Sequence, residues 1–445
     1  MKEIFSKLYG NLVVLRNWPG QHRIPYLPEE ELHALRDRRL REIVRYAAET
    51  VPYYQKFFRA EGIDPREIRS AGDLDRLPLI DKEMVRKDPT LFVSISRKGR
   101  KAIPFVTSGT TGAPLNIWHD LDSLLANIAF GEREREVESK MCGRPFGYRM
   151  VRIVIPDSMI LKVDHLYQQK TFIPVRPERL ILSVLDPIEE IVKAINRFRP
   201  HVIRSYGSFL ETMFRILALR KTDMHLPKVL IYVSDSMTTE ARSLIEKEFG
   251  VPVLSLYNAV EAFKIGFFCE RRRGFHIHED LCHVKVVNPT GQRVANEEKG
   301  EVVISNLINR GMVLLNYRLG DIASMSNERC PCGRTLPLLS ELEGRVQDTL
   351  FLQDGRFINP MLIWGVIKKR PEVVRYQFIQ HEPERFELKL VTVDREVYER
   401  ILGQILADLK NLLGASAVIE AEYHEQINPQ PGVKFRQVMS LCKQS

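Results

Sequence analysis

Apolar residues recur at helical spacing from Arg41 to Arg59, and Gly62, Asp64 and Pro65 end the run. Short apolar stretches at Leu77–Ile80 and Ile103–Val106 predict strands, and Asp120–Glu136 predicts a helix. From Met150 a regular alternation sets in. Strands are predicted at Val151–Ile155, Val202–Tyr206, Val229–Ser234 and Val253–Tyr257, with helices at Pro187–Phe198, Phe209–Leu219 and Thr238–Phe249. Strands that alternate with helices of about ten to fifteen residues imply a parallel sheet with helices on its faces.

The texture changes near Val284. His283–Val287, Gly300–Ser305 and Met312–Tyr317 read as short strands separated by Gly-containing turns, an antiparallel or barrel-like appendage. After Gly344, strands are predicted at Thr349–Leu352, Val373–Ile379, Phe386–Val391 and Val418–Tyr423, with helices near Met361–Lys368 and at Val397–Leu413. The fold class expected is therefore α/β: a large N-terminal domain over residues 1–345, with parallel-sheet layers and a small β appendage. A small, mobile α+β domain follows over 346–445.

Length agrees with two unequal domains, since 445 residues exceed one ordinary core. The short apolar patch Leu12–Leu15 is bracketed by Asn11, Arg16 and Asn17, which argues against a signal peptide. No run of eighteen apolar residues occurs, so a cytoplasmic protein without a membrane span is expected. The net charge is +9, but the charged runs Arg36–Arg45 and Glu132–Lys140 are mixed in sign and read as solvated helix faces. Arg271, Arg272 and Arg273 read as a solvated turn, and basic stripes with interleaved aromatics are missing, so a nucleic-acid partner is not expected.

Four of the six cysteines fall between positions 269 and 332. Cys330-Pro331-Cys332 is a tight pair, with Cys269 and His276 upstream. Three thiolates and one imidazole make the closed tetrahedral shell of a structural Zn²⁺, with His278, Cys282 and His283 as rival ligands.

After the strand at Ile103–Val106 comes Thr107-Ser108-Gly109-Thr110-Thr111-Gly112. Two glycines let the backbone fold closely around an anion, and the hydroxyls of Ser108, Thr110 and Thr111 add donors, which suits nucleotide phosphates. A Walker loop is excluded, because no Gly-Lys-Ser/Thr follows.

This hexapeptide resembles the phosphate loop of the adenylate-forming superfamily, which includes acyl-CoA synthetases and luciferases. More closely, the chain resembles the phenylacetate–CoA ligase family, above all its branch labelled capsular-polysaccharide ligase. The likeness runs from Glu42-Ile43-Val44-Arg45-Tyr46 and Val51-Pro52-Tyr53-Tyr54 to about Arg436, with the motifs in the family's order. The resemblance implies that ATP and Mg²⁺ activate a carboxylic acid as its acyl-adenylate, and that Thr110 acts in that chemistry with the rest of the loop.

It further implies that Tyr257, in Tyr257-Asn258-Ala259-Val260-Glu261, stacks on adenine and that Glu261 holds the Mg²⁺. Asn258 stands where Gly is usual and tolerates a positive φ. Ser234, Asp235 and Ser236 would line the nucleotide, and Asp321, in Tyr317-Arg318-Leu319-Gly320-Asp321, would bind the ribose hydroxyls. Arg345 would lie near ribose and phosphate, and Lys434 would be the catalytic lysine of the small domain. Tyr206, Gly207, Ala259 and Phe263 would line the pocket of an aryl or medium acyl acid.

By the same resemblance the small domain rotates between two half-reactions, and CoA is the acceptor expected. Ala113 replaces a frequent Lys, Gln347 stands at the hinge with Asp348 next, and Gln353-Asp354-Gly355-Arg356 replaces an Arg-Gly. These departures keep an amine or a carrier-protein thiol open as acceptor. A non-catalytic nucleotide-binding regulatory module is the alternative from another class, and a homodimer also stays open.

Overall fold

The computed structural model describes residues 2–96, 102–107, 115–156, 158–172, 178–340, 342, 350–353, 357–358, 360–367, 369–370, 372–427 and 436–442. Helices α1 (Lys2–Asn17), α2 (Glu29–Thr50), α3 (Pro52–Glu61) and α4 (Lys82–Lys87) lead into the antiparallel hairpin of β1 (Ile103–Val106) and β2 (Asn116–His119). Two helices follow, α5 (Leu121–Phe130) and α6 (Glu132–Cys142), where the sequence predicts one over Asp120–Glu136. Asp120 caps α5 by accepting from the Ser123 N–H at 3.0 Å, and Gly131 separates the pair.

The main sheet grows from β3 (Arg149–Val154), α7 (Met159–Lys170), β4 (Glu178–Ser183), α8 (Ile188–Phe198), β5 (Val202–Tyr206), α9 (Gly207–Arg220), β6 (Val229–Val233), α10 (Thr239–Glu248) and β7 (Val253–Tyr257). Every residue of β6 and β7 is buried, as strands covered on both faces require. Next come β8 (Gly266–Phe268), β9 (Phe275–Ile277), β10 (Cys282–Val287), β11 (Gly300–Asn306), β12 (Tyr317–Ala323) and β13 (Leu338–Leu339). The eight-stranded sheet has the order β13-β9-β8-β7-β6-β5-β3-β4. Its β4-to-β7 portion is parallel, and the β8, β9 and β13 portion is antiparallel. Strands β10, β11 and β12 form a separate antiparallel sheet, the appendage expected from the turn pattern.

The small domain contains β14 (Leu350–Phe351), β15 (Phe357–Ile358), α11 (Pro360–Ile367), β16 (Val373–Glu382), β17 (Arg385–Thr392), α12 (Arg395–Leu413), β18 (Val418–Tyr423) and β19 (Val438–Ser440). Its four-stranded sheet, β18-β17-β16-β19, has an antiparallel centre and parallel edges. Before β19, the Phe378 N–H bonds to the Gln437 carbonyl at 2.7 Å, and after β18 the His424 N–H bonds to the Leu390 carbonyl at 2.8 Å. Its apolar core, around Tyr376, Phe378, Leu388 and Ile405, is separate from those of the large domain.

Three sequence expectations are corrected. Leu77–Ile80 is no strand; it makes a single bridge, Ile80 to Tyr317, and its apolar character reflects burial. Met312–Tyr317 is not a strand either. Asn316 has φ 53° and donates its amide to the Leu74 and Leu77 carbonyls, which breaks the pairing until β12 starts at Tyr317. The third concerns charge. Much of α6 is buried rather than solvated: Arg133 binds both oxygens of Asp280, at 2.7 and 2.9 Å, with neither side chain exposed. Arg36 and Arg39 of α2 likewise pair with Glu279 and Asp280. Burial opposes ionisation of Asp280, and the Arg133 and Arg39 guanidiniums overcome it to hold the carboxyl well below its usual range.

Candidate active site and cysteine-rich cluster

Residues singled out in the sequence converge at the carboxyl ends of β5, β6 and β7, the sheet edge where ligands of open α/β folds bind. Tyr257, the last residue of β7, donates its hydroxyl to Asp321 Oδ2 at 2.7 Å, so the residues expected at adenine and ribose touch. Glu261 is buried in the following loop, where the Tyr317 hydroxyl reaches its Oε1 at 3.5 Å and the Asn306 amide donates to its backbone carbonyl at 2.9 Å. Burial, with the Glu261 carboxylate beside it, raises the Tyr317 pKa, so this hydroxyl stays protonated and can serve as a donor.

The residue of this loop with a positive φ is Phe263, at 59°. Asn258 instead ties the loop together: in the orientation that satisfies its amide, the nitrogen donates to the Phe263 and Tyr257 carbonyls. The loop's exit is pinned by the Ile265 N–H, which donates to the Tyr257 carbonyl at 3.0 Å. Ser234 and Asp235 leave the end of β6, Ser236 follows, and Tyr206 ends β5 beside Gly207. Thr107 closes the neck of the β1–β2 hairpin. Its N–H donates to the Leu115 carbonyl at 2.8 Å, and its hydroxyl accepts from the Leu115 N–H at 3.2 Å. Ser108, Gly109, Thr110, Thr111 and Gly112 lie outside the described residues, as do Arg345 and Lys434.

Sequence reasoning missed the apolar wall against Phe263. Phe105, Leu124 and Val163 form it, with Val260 packed against them, and Ala259 lies nearby in the main core. His119 belongs to the same wall, with its ring 4.3 Å from that of Phe263. Its Nε2–H donates to the Val260 carbonyl at 2.7 Å, which requires this tautomer because the carbonyl can only accept. Alternation along β1 and β2 would have shown that Phe105 and His119 point inward.

Burial lowers the His119 pKa to about 3, only partly offset by that hydrogen bond. A folded pKa below the unfolded value of about 6.5 means that stability is complete above pH 6.5 and is lost as pH falls toward 3. We expect His119→Gln to make the fall of unfolding free energy between pH 6.5 and 4.5 shallower by about 1.4 kcal/mol per pH unit. Urea titrations of both proteins across that range test it, and identical slopes would refute the assignment.

The other predicted cluster lies at the opposite edge of the sheet. Strand β8 starts beside Tyr257 and runs back toward Cys269. The ligand atoms of Cys269, His276, Cys330 and Cys332 all lie within 4.8 Å of one another. Cys269 Sγ is 3.6 Å from Cys330 Sγ, and Cys332 Sγ is 3.4 Å from His276 Nε2. Ligands of one tetrahedral zinc, at about 2.3 Å for sulfur and about 2.0 Å for nitrogen, would stand roughly 3.5–3.8 Å apart, so the spacing fits the ion. The Arg271 and Arg334 N–H groups donate to Cys269 and Cys332 sulfur. The rivals point elsewhere: His278 faces Glu134, His283 bonds to Glu279, and Cys282 is buried away from the cluster.

Comparison with known proteins agrees with this layout. Residues 350–440 match the family model described as the CapK C-terminal domain. The phenylacetate–coenzyme A ligase of Thermus thermophilus is 28% identical over 405 residues, covering 87% of each chain. That of Aromatoleum evansii is 24% identical over 416 residues, covering 88% of this chain and 90% of the relative. Over most of its length the chain is phenylacetate–CoA ligase-like. The fold is shared with a 2-hydroxyisobutyryl-CoA ligase crystallised in its postadenylation state with an acyl-AMP. The TM-score is 0.72 at 17% identity, over 95% of this chain and 91% of that one. The CapK match falls within the small domain.

Proposed function

We propose that this protein activates a carboxylic acid with ATP as its acyl-adenylate, releasing pyrophosphate, and then passes the acyl group to the thiol of CoA. The observation that carries the reading is the bonded pair Tyr257–Asp321 beside Glu261 at the carboxyl edge of the sheet, within a chain that is similar over 87% of its length to a phenylacetate–coenzyme A ligase. The Tyr257 ring would cover adenine while Asp321 accepts from the ribose hydroxyls, and the Thr107–Gly112 loop would donate N–H and O–H groups to the outer phosphates. Glu261 is a fitting ligand for Mg²⁺, which would neutralise charge on the phosphate oxygens.

Lys434 then supplies the positive charge between the attacking carboxylate and the α-phosphate. The acid would sit against Phe263, Ala259, Tyr206 and Gly207. The apolar wall of Phe105, Leu124 and Val163 favours an aryl or medium acyl group. The domain boundary is put near Arg345, and rotation there would withdraw Lys434 and admit the acceptor. An amine or a carrier-protein thiol would use the same adenylate. Zinc is assigned to Cys269, His276, Cys330 and Cys332 as a closed structural shell. The cytoplasm is proposed as the location, since all six thiols are free and ATP is consumed.

ATP–pyrophosphate exchange across a panel of aryl and aliphatic acids tests the reading: acid-dependent exchange is expected, and none with any acid despite ATP binding would overturn it. For Asp321→Asn we expect the KM for ATP to rise about 10- to 100-fold, because the charged acceptor is lost while the Tyr257 bond survives. Steady-state kinetics at saturating acid measure this, and an unchanged KM would remove Asp321 from the ribose.

A further inference from the structure

Helix α1 lies on α5 and α7 with its small and polar residues turned inward. Gly10 and Val14 are buried, and a Cβ at Gly10 would lie 1.9 Å from the Lys170 carbonyl oxygen, so α1 meets the end of α7 at backbone distance. Polar bonds hold this contact. Lys170 Nζ donates to the Ser6 hydroxyl at 3.1 Å, the Phe172 N–H donates to Asn11 Oδ1 at 3.0 Å, and the Tyr9 hydroxyl donates to Asp122 of α5.

The opposite face of α1 is apolar and bare. Ile4, Phe5, Leu8, Leu12 and Leu15 are each between 53 and 67% exposed. At about 100° per residue they fall in one stripe roughly 100° wide, about half a turn away from Gly10 and Val14. A surface helix ordinarily turns such a stripe to its own core, and here that core takes the other face. The order of the stripe is specific. Phe5, Leu8, Leu12 and Leu15 follow one another at 3, 4 and 3 residues, the a–d–a–d order of a coiled-coil seam. Together with Ile4 and Tyr9 they present on the order of 700 Å² of accessible surface, close to the ~800 Å² that each partner gives to a stable interface.

A second copy of the chain meets these requirements. A two-fold axis sets the stripe against itself, so apolar side chains face apolar side chains on both partners. Because α1 is already built onto α5 and α7, the seam is ordered before it is covered, whereas a free helix of this length would first have to form. A lipid surface fits less well. Helices that lie in a membrane interface line their polar face with cations. In α1 that face is packed on α5 and α7, and its Lys7 is paired with Glu3 at 3.2 Å.

We propose that α1 is a homodimerisation helix, and that the Phe5–Leu8–Leu12–Leu15 seam of one chain packs on the same seam of a second copy. The dimer closes on itself, since each chain carries one such seam and pairing consumes it. Pairing is a property of the folded large domain, and it holds whichever acid and acceptor the enzyme uses.

Sedimentation velocity of the full chain at about 10 µM tests this, with wild type, Leu8→Glu/Leu12→Glu, Leu8→Met/Leu12→Met and Phe146→Glu compared. Phe146 is the control, an aromatic residue 76% exposed outside α1. Wild type, the methionine pair and the Phe146 variant should sediment as dimers. The glutamate pair should be monomeric, with association weakened by about a hundredfold or more, and should keep its helical circular dichroism. If the glutamates unwind α1, seen as lost helical signal, the milder Phe5→Gln/Leu15→Gln pair decides, and it should weaken association by about tenfold. A monomeric wild type would overturn the proposal, as would a dimer that persists unweakened in the folded seam variants. Monomeric wild type that floats with phosphatidylglycerol vesicles would give the stripe to lipid and overturn it too.

Discussion

Replacing Lys434 by alanine is expected to lower acid-dependent pyrophosphate release by about two to three orders of magnitude, the scale on which one positioned charge stabilises a transition state. Acyl transfer from supplied acyl-adenylate should fall no more than about threefold, because a lysine withdrawn by domain rotation has no part in the second step. Fluorescence-coupled pyrophosphate release and thioester formation, assayed separately, read the two halves. A parallel loss in both would mean that the residue supports the structure instead of the first reaction, and an active variant would move the charge to another residue.

Replacing Cys332 by serine, or stripping the metal with a chelator, is expected to lower stability by at least about 3 kcal/mol. That is a fraction of the ~10–16 kcal/mol that structural zinc supplies to small modules, since here a sheet already brings the ligands together. In a chain of this size the unfolding midpoint should drop by about 3–4 °C. Metal analysis of the purified protein should give one zinc per chain, halved or worse in the variant, and a metal-free wild type would refute the assignment. Cys332 is already prepared for ligation: burial opposes ionisation, but its hydrogen bonds to His276 and the Arg334 N–H bring its pKa down to about 6. The cluster joins β8, β9 and the 330–332 turn at the edge away from Tyr257, so adenylation at permissive temperature should survive the substitution better than stability does.

The alternating β and α segments from Arg149 to Tyr257 were legible because doubly covered strands such as Val229–Val233 are continuous apolar runs, and α10 begins at a recognisable cap, Thr238. Helix α7 and strand β4 were not. Asp164, His165, Gln168 and Gln169 make α7 half-polar, and β4 is an edge strand without a fully buried residue. Leu77–Ile80 misled for the opposite reason, since an apolar run reports burial and says nothing of which backbone it pairs with.

At the site, Tyr257, Glu261 and Asp321 were legible as a motif series, and the structure adds that two of them are bonded to each other. The cluster of Cys269, His276, Cys330 and Cys332 was singled out in the sequence, with His278, Cys282 and His283 left as rivals. The backward course of β8 and β9 sets His276 into the cluster and turns His278, two residues away, toward Glu134. The salt bridges of α6 escaped notice because a charged run on a helix carries no mark of what it will face, and Asp280 stands far off in sequence.

The edge strand β19 lies parallel to β16, and the stretch bearing Lys434 is spliced between a bond at His424 and another at Gln437. Its two ends are thus moored to the two central strands of the sheet. An affinity tag fused behind Cys442 leaves both moorings in place, whereas trimming the chain back to residue 436 cuts one of them. The lysine would remain in the polypeptide but swing on a single tether, so a shortened protein could bind ATP and still be a poor ligase. On the role proposed for Lys434, the choice of clone ends should keep β19 intact although that strand carries none of the chemistry.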